Sequence, residues 1–141
     1  CSMKAKDIMT REVATVQPGA TIREAADLMR KHNVGAIPVC DGNAVVGIVT
    51  DRDIVIRSVA EGSDPRTTPV SSIMTTNVVT VTPEADIEEV GAKMSQKQIR
   101  RVPVTDGNGL VGIVSLGDLA VDRRSDMEAS EALTEISRPV K

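Results

Sequence analysis

The sequence contains no aromatic residue: tryptophan, tyrosine and phenylalanine are all absent from its 141 positions. Proteins that bind single-stranded nucleic acid usually stack bases on aromatic rings, and they hold the phosphate backbone with a basic surface. Neither feature is present here, because 20 acidic residues outnumber 17 lysines and arginines and give a net charge of −3. We therefore expect no nucleic-acid partner.

Cysteine and histidine are also scarce, with only Cys1, Cys40 and His32. Their spacing matches neither a disulfide framework nor a metal motif, and no nucleophile with an adjacent base or phosphate-binding glycine loop occurs. We expect Cys40 to behave as a partly buried small hydrophobe and His32 to lie near a helix end. The sequence thus predicts no catalytic residue, no metal site, no catalytic cofactor and no enzymatic activity.

Long apolar runs are missing as well. The longest apolar stretches are far too short to cross a bilayer, and no signal-peptide pattern opens the sequence. With 40% hydrophobic and 26% charged residues, the composition is that of a soluble globular protein. We expect a cytoplasmic protein with no membrane partner.

What the sequence does contain is an internal repeat with a shift of 65 residues. Ile8-Met9-Thr10 recurs as Ile73-Met74-Thr75, and Val46-Gly47-Ile48-Val49 recurs as Val111-Gly112-Ile113-Val114. Roughly 20 identities fall in fewer than 50 aligned positions. The repeat predicts two copies of one structural unit.

Each copy predicts the element order β-α-β-β-α. An extended segment (13–16 and 78–81) precedes a helix that would begin with a capping box, Thr21 with Glu24 and Asp86 with Glu89. Two hairpin strands then flank an Asp-Gly-Asn turn, which favours a hairpin: 36–40 with 45–49, and 101–105 with 110–114. A second helix would start near Asp51 or Gly117.

The predicted class is α+β, with the two repeats packed face to face in pseudo-twofold symmetry so that each covers the open apolar side of the other's small sheet. We assign residues 4–60 to the first repeat, 61–69 to a linker and 70–122 to the second repeat. Residues 123–141 would form a C-terminal helix and tail, because a capping box at 125–128 precedes apolar residues at helical spacing.

Each repeat carries a Gly-apolar-x-Thr/Ser-x-x-Asp motif where the last strand meets the second helix. Thr50 and Ser115 would stand at a helix N-terminus, which favours an anion, and Asp53 and Asp118 would follow in the first turn. A carboxylate there can accept two hydrogen bonds from vicinal ribose hydroxyls. The alternative is purely structural, with the hydroxyl and the carboxylate capping the helix.

The repeats resemble cystathionine-β-synthase (CBS) domains, and the similarity covers residues 4 to about 122. It is carried by Asp7-Ile8-Met9-Thr10, by the segments 34–39 and 99–104, and by the segments 47–53 and 112–118. The resemblance implies a stand-alone CBS pair of bacterial or archaeal type that binds an adenosine ligand in clefts between the repeats, forms a homodimer and regulates a protein partner. We expect AMP, ADP or ATP as the ligand and a role in reporting energy or metabolite state.

The same resemblance assigns residues to two clefts. Each cleft would combine an apolar slot of one repeat, which holds adenine, with the Thr/Ser-x-x-Asp residues of the other repeat, which hold the ribose and are called the ribose grip. The first cleft would combine Thr10, Val13, Ala14, Val34, Gly35 and Ala36 with Ile113, Ser115 and Asp118. The second cleft would combine Val78, Val79, Ile99, Arg100 and Arg101 with Ile48, Thr50 and Asp53.

Charge distinguishes the two clefts. Arg100-Arg101 replaces Gly35-Ala36 of the first repeat, and the planar guanidinium suits phosphate, although a solvated surface pair is the alternative. Arg52 is expected to pair with Asp51 or Asp53. The dimer would use Ile54, Val55, Val59, Leu119 and Val121. Alternative functions are binding of S-adenosylmethionine or a dinucleotide, and a ligand-free protein-interaction module.

Overall fold

The computed structural model describes residues 3–121, so the predicted C-terminal helix and tail lie outside the described residues. The chain divides into two compact units. The central unit is Ala14–Val78. The split unit combines the residues before it with those after it, and its described part is 3–13 and 79–121. These units differ from the linear repeats, since each contains a segment of the other repeat.

Helices occupy corresponding places in the two units. The central unit contains α2 (Ile22–His32) and α3 (Asp51–Asp53), which continues as a π-helix (Ile54–Val59), and a 3₁₀ turn at Val70–Ser72. The split unit contains α1 (Ala5–Ile8), α4 (Ile87–Lys97) and α5 (Leu116–Val121). Helix α2 has the predicted periodicity, with Ile22, Ala25 and Met29 buried.

Each unit has one antiparallel hairpin among its described residues. In the central unit β1 (Ala36–Asp41) pairs with β2 (Ala44–Thr50), and in the split unit β3 (Arg101–Asp106) pairs with β4 (Gly109–Ser115). The turns fall at the two predicted Asp-Gly-Asn sequences. The α+β class is confirmed, and each observed strand lies within one residue of its predicted bounds.

The extended segment that leads each repeat forms less sheet than predicted. Val16 makes a single parallel bridge to Val39, and Val81 makes the corresponding bridge to Val104. The chain turns at Pro18, which has no N–H to continue a ladder. Segments 13–16 and 78–81 are therefore extended edges of the hairpins rather than full strands.

Helix capping follows the prediction in the first copy only. Thr21 Oγ1 accepts from the Glu24 amide at 3.2 Å, and Glu24 Oε2 accepts from the Thr21 amide at 3.3 Å. In the second copy Asp86 occupies the N-cap position of α4 without a side-chain capping bond. Its Oδ1 instead accepts from Lys4 Nζ at 3.0 Å, so the predicted capping box with Glu89 is wrong.

Each unit contains the Ile-Met-Thr segment of the other repeat, docked on its own last strand. Thr10 of the first repeat exchanges backbone hydrogen bonds of 2.8 and 3.0 Å with Ile113 of β4. Thr75 of the second repeat does the same with Ile48 of β2, at 2.8 and 2.9 Å. The residues just before these segments cap the other copy's helix: Thr68 O accepts from Ile22 N, and Met3 O accepts from Ile87 N.

A glycine on each last strand makes this docking possible. A Cβ at Gly112 would lie 2.5 Å from Met9 Sδ and 2.9 Å from the Thr10 carbonyl oxygen. A Cβ at Gly47 would lie 2.6 Å from Met74 Sδ and 3.0 Å from the Thr75 carbonyl oxygen. The methionine thioether of each Ile-Met-Thr segment therefore occupies the space that a side chain at position 47 or 112 would need.

Each unit has its own hydrophobic core. In the central unit α2 packs on the hairpin, with Ile22, Ile37, Val39, Val49 and Val70 almost fully buried. In the split unit the corresponding core is built from Val90, Met94, Val102, Val114 and Leu119. Each hairpin thus covers one face with its helix and holds an exchanged segment at its edge.

We predict that Gly47→Ala and Gly112→Ala each destabilise the fold by about 1–3 kcal/mol, the range for overpacking a filled site. The added methyl group would meet a backbone carbonyl oxygen that cannot move away independently. Urea denaturation measures the change. Gly19→Ala is the matched control, because a Cβ there meets nothing within 4 Å, and a loss as large as that at Gly47 would contradict the packing argument.

Candidate ligand-binding site

The two Gly-apolar-x-Thr/Ser-x-x-Asp motifs form the same polar corner in both units. Thr50 Oγ1 accepts from the Asp53 amide at 3.0 Å, and Asp53 Oδ2 accepts from the Thr50 amide at 3.0 Å. The equivalent bonds join Ser115 and Asp118 at 3.1 and 2.8 Å. Both carboxylates therefore cap a helix, and this use occupies one of their two oxygens.

The capping role leaves each carboxylate with capacity to bind something else, because its two oxygens offer about four lone-pair positions. Asp53 is only 7% exposed, yet its other oxygen, Oδ1, has two long contacts, to Thr75 Oγ1 at 3.5 Å and to Arg57 Nε at 3.8 Å. Buried carboxylates normally have short hydrogen bonds. Asp53 Oδ1 is thus a weakly satisfied acceptor beside a threonine hydroxyl.

Arg57 connects this corner to the exchanged segment. Besides approaching Asp53, its Nη1 lies 3.4 Å from the carbonyl oxygens of Ile73 and Met74. Sequence reasoning missed both Arg57 and Thr75. Thr75 could have been found as the repeat equivalent of Thr10, and Arg57 by its position one helical turn after Asp53.

The expectation for Arg52 is wrong. Within residues 3–121 its guanidinium pairs with neither Asp51 nor Asp53, and the ion pair to Asp53 belongs to Arg57 instead. The reason is helical spacing, since positions i and i+1 point away from each other whereas i and i+4 share a face. Asp51 Oδ1 accepts from the Arg52 backbone amide at 2.8 Å.

The predicted slot segment of each unit lies beside that unit's own polar corner. Ala36 pairs with Thr50 across the hairpin, and Gly35 O accepts from the Asp51 amide at 2.9 Å. In the split unit Arg101 pairs with Ser115, and the Arg100 carbonyl takes the corresponding bond. Backbone pairing therefore places the residues at the start of β1 or β3 next to the Thr/Ser-Asp corner.

Arg100 and Arg101 are available for an anion. Arg100 is exposed and Arg101 half-buried. Neither guanidinium has an ion pair or a hydrogen bond with any other residue that the structure describes. Two unpaired guanidinium groups at the start of one strand form a local concentration of positive charge.

The predicted site residues divide between the units as follows. The central unit contains Ala14, Val34, Gly35, Ala36, Ile48, Thr50, Asp53 and Val78, and the split unit contains Thr10, Val13, Val79, Ile99, Arg100, Arg101, Ile113, Ser115 and Asp118. Almost all of the apolar members are half-buried and have surface left for contact, the exception being the buried Ile113. The pairing of slots and grips into two clefts stays a prediction.

A groove on the central unit lies elsewhere. It has a volume of about 720 Å³ and runs between the segment 15–20 and helix α2, with Glu24, Asp27 and Lys31 along it. No predicted site residue lines it. Glu24 is already used as a helix cap, and Asp27 pairs with Arg23 and Arg30.

The scarce residues have ordinary environments. Cys40 is 5% exposed, and burial raises the pKa of its thiol, which confirms the expected small hydrophobe. His32 ends α2 on the surface, as predicted. Residues 3–121 contain no group of three or more histidine, cysteine, aspartate or glutamate residues that could hold a metal ion, and no helix among them is long and apolar enough to span a membrane.

Comparisons with known proteins identify the same family by sequence model and by individual relatives. The family model described as the CBS domain matches residues 5–59 and 70–121. The chain is 53% identical over 132 residues to the CBS domain-containing protein YhcV of Bacillus subtilis (strain 168), covering 94% of each chain.

Solved structures that share the fold include the following two. The crystal structure of Hypoxic Response Protein I with two coordinated zinc ions has a TM-score of 0.79 and 40% identity, covering 85% of this chain and 98% of that one. The CBS domain pair of protein MJ0100, in complex with 5′-methylthioadenosine and S-adenosyl-L-methionine, has a TM-score of 0.75 and 33% identity, covering 85% and 94%.

We predict that Arg57→Ala lowers the free energy of unfolding by about 1 kcal/mol, because it leaves the buried Asp53 charge without its cation and frees the 73–74 carbonyls. Urea denaturation is the measurement. Arg52→Ala is the matched control on the same helix and should change stability by less than about 0.5 kcal/mol. Equal losses in the two variants would show that Arg57 does not support this corner.

Proposed function

Because the chain belongs to the CBS-domain family, we propose that it is a regulatory module that binds an adenine nucleotide and catalyses no reaction. The observation that carries the proposal is the polar corner, which occurs once in each unit. A carboxylate in each is held in a fixed position by a helix cap while part of its acceptor capacity is unused. Vicinal ribose hydroxyls supply two donors at the spacing that such a carboxylate accepts.

The surroundings of the corners suit the rest of a nucleotide. Half-buried apolar side chains such as Val34 and Ile99 offer a slot for adenine, which must be held by apolar contact and backbone groups since the chain has no ring to stack on it. Arg100 and Arg101, whose guanidinium groups have no ion pair within residues 3–121, offer donors for phosphate. We propose AMP, ADP or ATP as the ligand, and the reporting of energy or metabolite state as the role.

A second candidate ligand is an adenosine compound without phosphate. It is favoured by one observation: the CBS pair of MJ0100, which shares the fold at 33% identity, is described with 5′-methylthioadenosine and S-adenosyl-L-methionine. The two candidates share the ribose and adenine contacts. They differ in whether Arg100 and Arg101 contribute.

We also propose that the module forms a homodimer and acts on a protein partner in the cytoplasm. The π-helix presents Val55, Ile56 and Val59, which are 55%, 48% and 65% exposed. The expectation that Leu119 takes part in the dimer contact is wrong, because Leu119 is fully buried in the split unit's core. Ile54 packs partly against the central unit's core, and the side chain of Val121 lies outside the described part.

We predict that a ligand at about 100 times its Kd stabilises the native state by about 2.7 kcal/mol, a Tm increase of roughly 5–10 °C for a chain of this size. Asp53→Ala and Asp118→Ala should each abolish the part of the shift that depends on their own corner. Each variant is compared with its own unliganded Tm, because loss of the cap alone costs about 0.5–2 kcal/mol. Thermal melts with AMP, ADP and ATP measure the shift.

The controls are Asp41→Ala and Asp106→Ala, which remove equivalent exposed carboxylates from the two hairpin turns. Bound adenine can be measured directly at 260 nm after gel filtration, since the protein has no tryptophan or tyrosine. If both Asp53→Ala and Asp118→Ala retain full ligand shifts and bound adenine, the carboxylates are caps only and the proposed site is wrong.

A further inference from the structure

A carboxylate covers the glycine at the start of the central unit's hairpin. Asp51 Oδ2 lies 2.9 Å from the position that a Cβ at Gly35 would take, and its Cγ lies 3.4 Å from it. The Asp51 amide donates to the Gly35 carbonyl at 2.9 Å, which fixes the two residues against each other. The negative charge therefore occupies the direction in which a side chain at position 35 would leave the backbone.

The split unit has the opposite charge at the same backbone position. Arg100 replaces Gly35, Leu116 replaces Asp51, and the Leu116 amide donates to the Arg100 carbonyl at 2.8 Å, as in the central unit. Leu116 is 8% exposed and takes part in the core, so position 116 supplies no carboxylate to the guanidinium. The same backbone hydrogen bond thus holds a carboxylate, Asp51, in the central unit and a guanidinium, Arg100, in the split unit.

The charge of Asp51 is not neutralised by contact within the described residues. Its Oδ1 accepts from the backbone amide of Arg52, a neutral donor, and no side-chain ion pair reaches it. Arg57, the basic side chain bound to this corner, pairs with Asp53 instead. A phosphate placed near Gly35 would therefore meet an unpaired carboxylate.

We propose that Asp51 is a specificity-determining residue that makes the site containing Gly35 select adenosine compounds without phosphate, neutral or cationic, while the site containing Arg100 selects phosphorylated ones. The inference rests on the proposed function and deepens it: one chain takes two ligands of different charge class. Asp51 is exposed, and like charges a few ångströms apart near a protein surface repel enough at low salt to change an affinity severalfold. A planar guanidinium favours phosphate by bidentate hydrogen bonds.

The test isolates the Gly35 site with Arg100→Gln/Arg101→Gln, which removes the positive charge of the Arg100 site. In that background Asp51→Asn keeps the size and the acceptor for the Arg52 amide but removes the charge. Adenosine and AMP binding are measured by isothermal titration calorimetry at low salt. We expect Asp51→Asn to raise AMP affinity about three- to tenfold, to leave adenosine within about twofold, and to lose its effect on AMP as salt screens the charge.

Asp41→Asn is the control, an exposed aspartate at the opposite end of β1 with the same change in net charge. Asp51→Ser is a second variant that retains an oxygen near the Arg52 amide, and circular dichroism melts confirm folding of each. Equal gains for adenosine and AMP, no gain for AMP, or an equal gain in Asp41→Asn would each overturn the role of Asp51. So would loss of all adenosine binding in the double-glutamine background.

The same measurements distinguish a failure of the proposed function from a failure of the role of Asp51. If the unsubstituted protein binds neither adenosine nor AMP, then the ligand class itself is wrong and the inference falls with it. If the unsubstituted protein binds both and only the Asp51 substitution is without effect, the adenosine site stands and its charge selectivity does not.

Discussion

The contact between a methionine and a glycine decides which parts of this chain fold together. Met9 and Met74 each fill the space above a glycine of the other repeat's last strand, and the following threonine completes a pair of backbone hydrogen bonds. Each hairpin thereby gains an edge from a distant segment, and the residues before that segment satisfy the first amides of the helix. The further contacts around Asp53 depend on this docking, because Thr75 reaches Asp53, and the Ile73 and Met74 carbonyls reach Arg57, only when the segment is in place.

The local elements of each repeat could be predicted because their signals are local. The helical spacing of Ile22, Ala25 and Met29 predicted α2. The Asp-Gly-Asn turns predicted both hairpins, with strand bounds within about one residue of those observed. The exchange could not be predicted in the same way. The sequence Ile-Met-Thr is identical in both copies, so docking on its own repeat and docking on the other give the same local pattern. Only the three-dimensional arrangement distinguishes them.

In the candidate site, too, the local motifs could be predicted and the contacts between distant residues could not. The Thr50–Asp53 and Ser115–Asp118 motifs were recognisable, and their reciprocal capping bonds follow from the spacing of three residues. The contributions of Arg57 and Asp51 depend on contacts that the sequence does not encode locally: Asp51 covers Gly35 across the hairpin, and Arg57 reaches a segment 16 residues further along. Near-identical repeats therefore place opposite charges at the same backbone position, Asp51 beside Gly35 in one and Arg100 in the other.

Hydrogen–deuterium exchange by mass spectrometry on Met9→Ala and Met74→Ala tests the reciprocal exchange of the two segments most directly. Removing Met9 should lower amide protection in β4 and leave β2 protected, although β2 is nearer in sequence, because Met9 packs on Gly112. Removing Met74 should give the reverse pattern, with protection lost in β2 and retained in β4. Loss of protection in each variant's own repeat, β2 for Met9→Ala and β4 for Met74→Ala, would contradict the account.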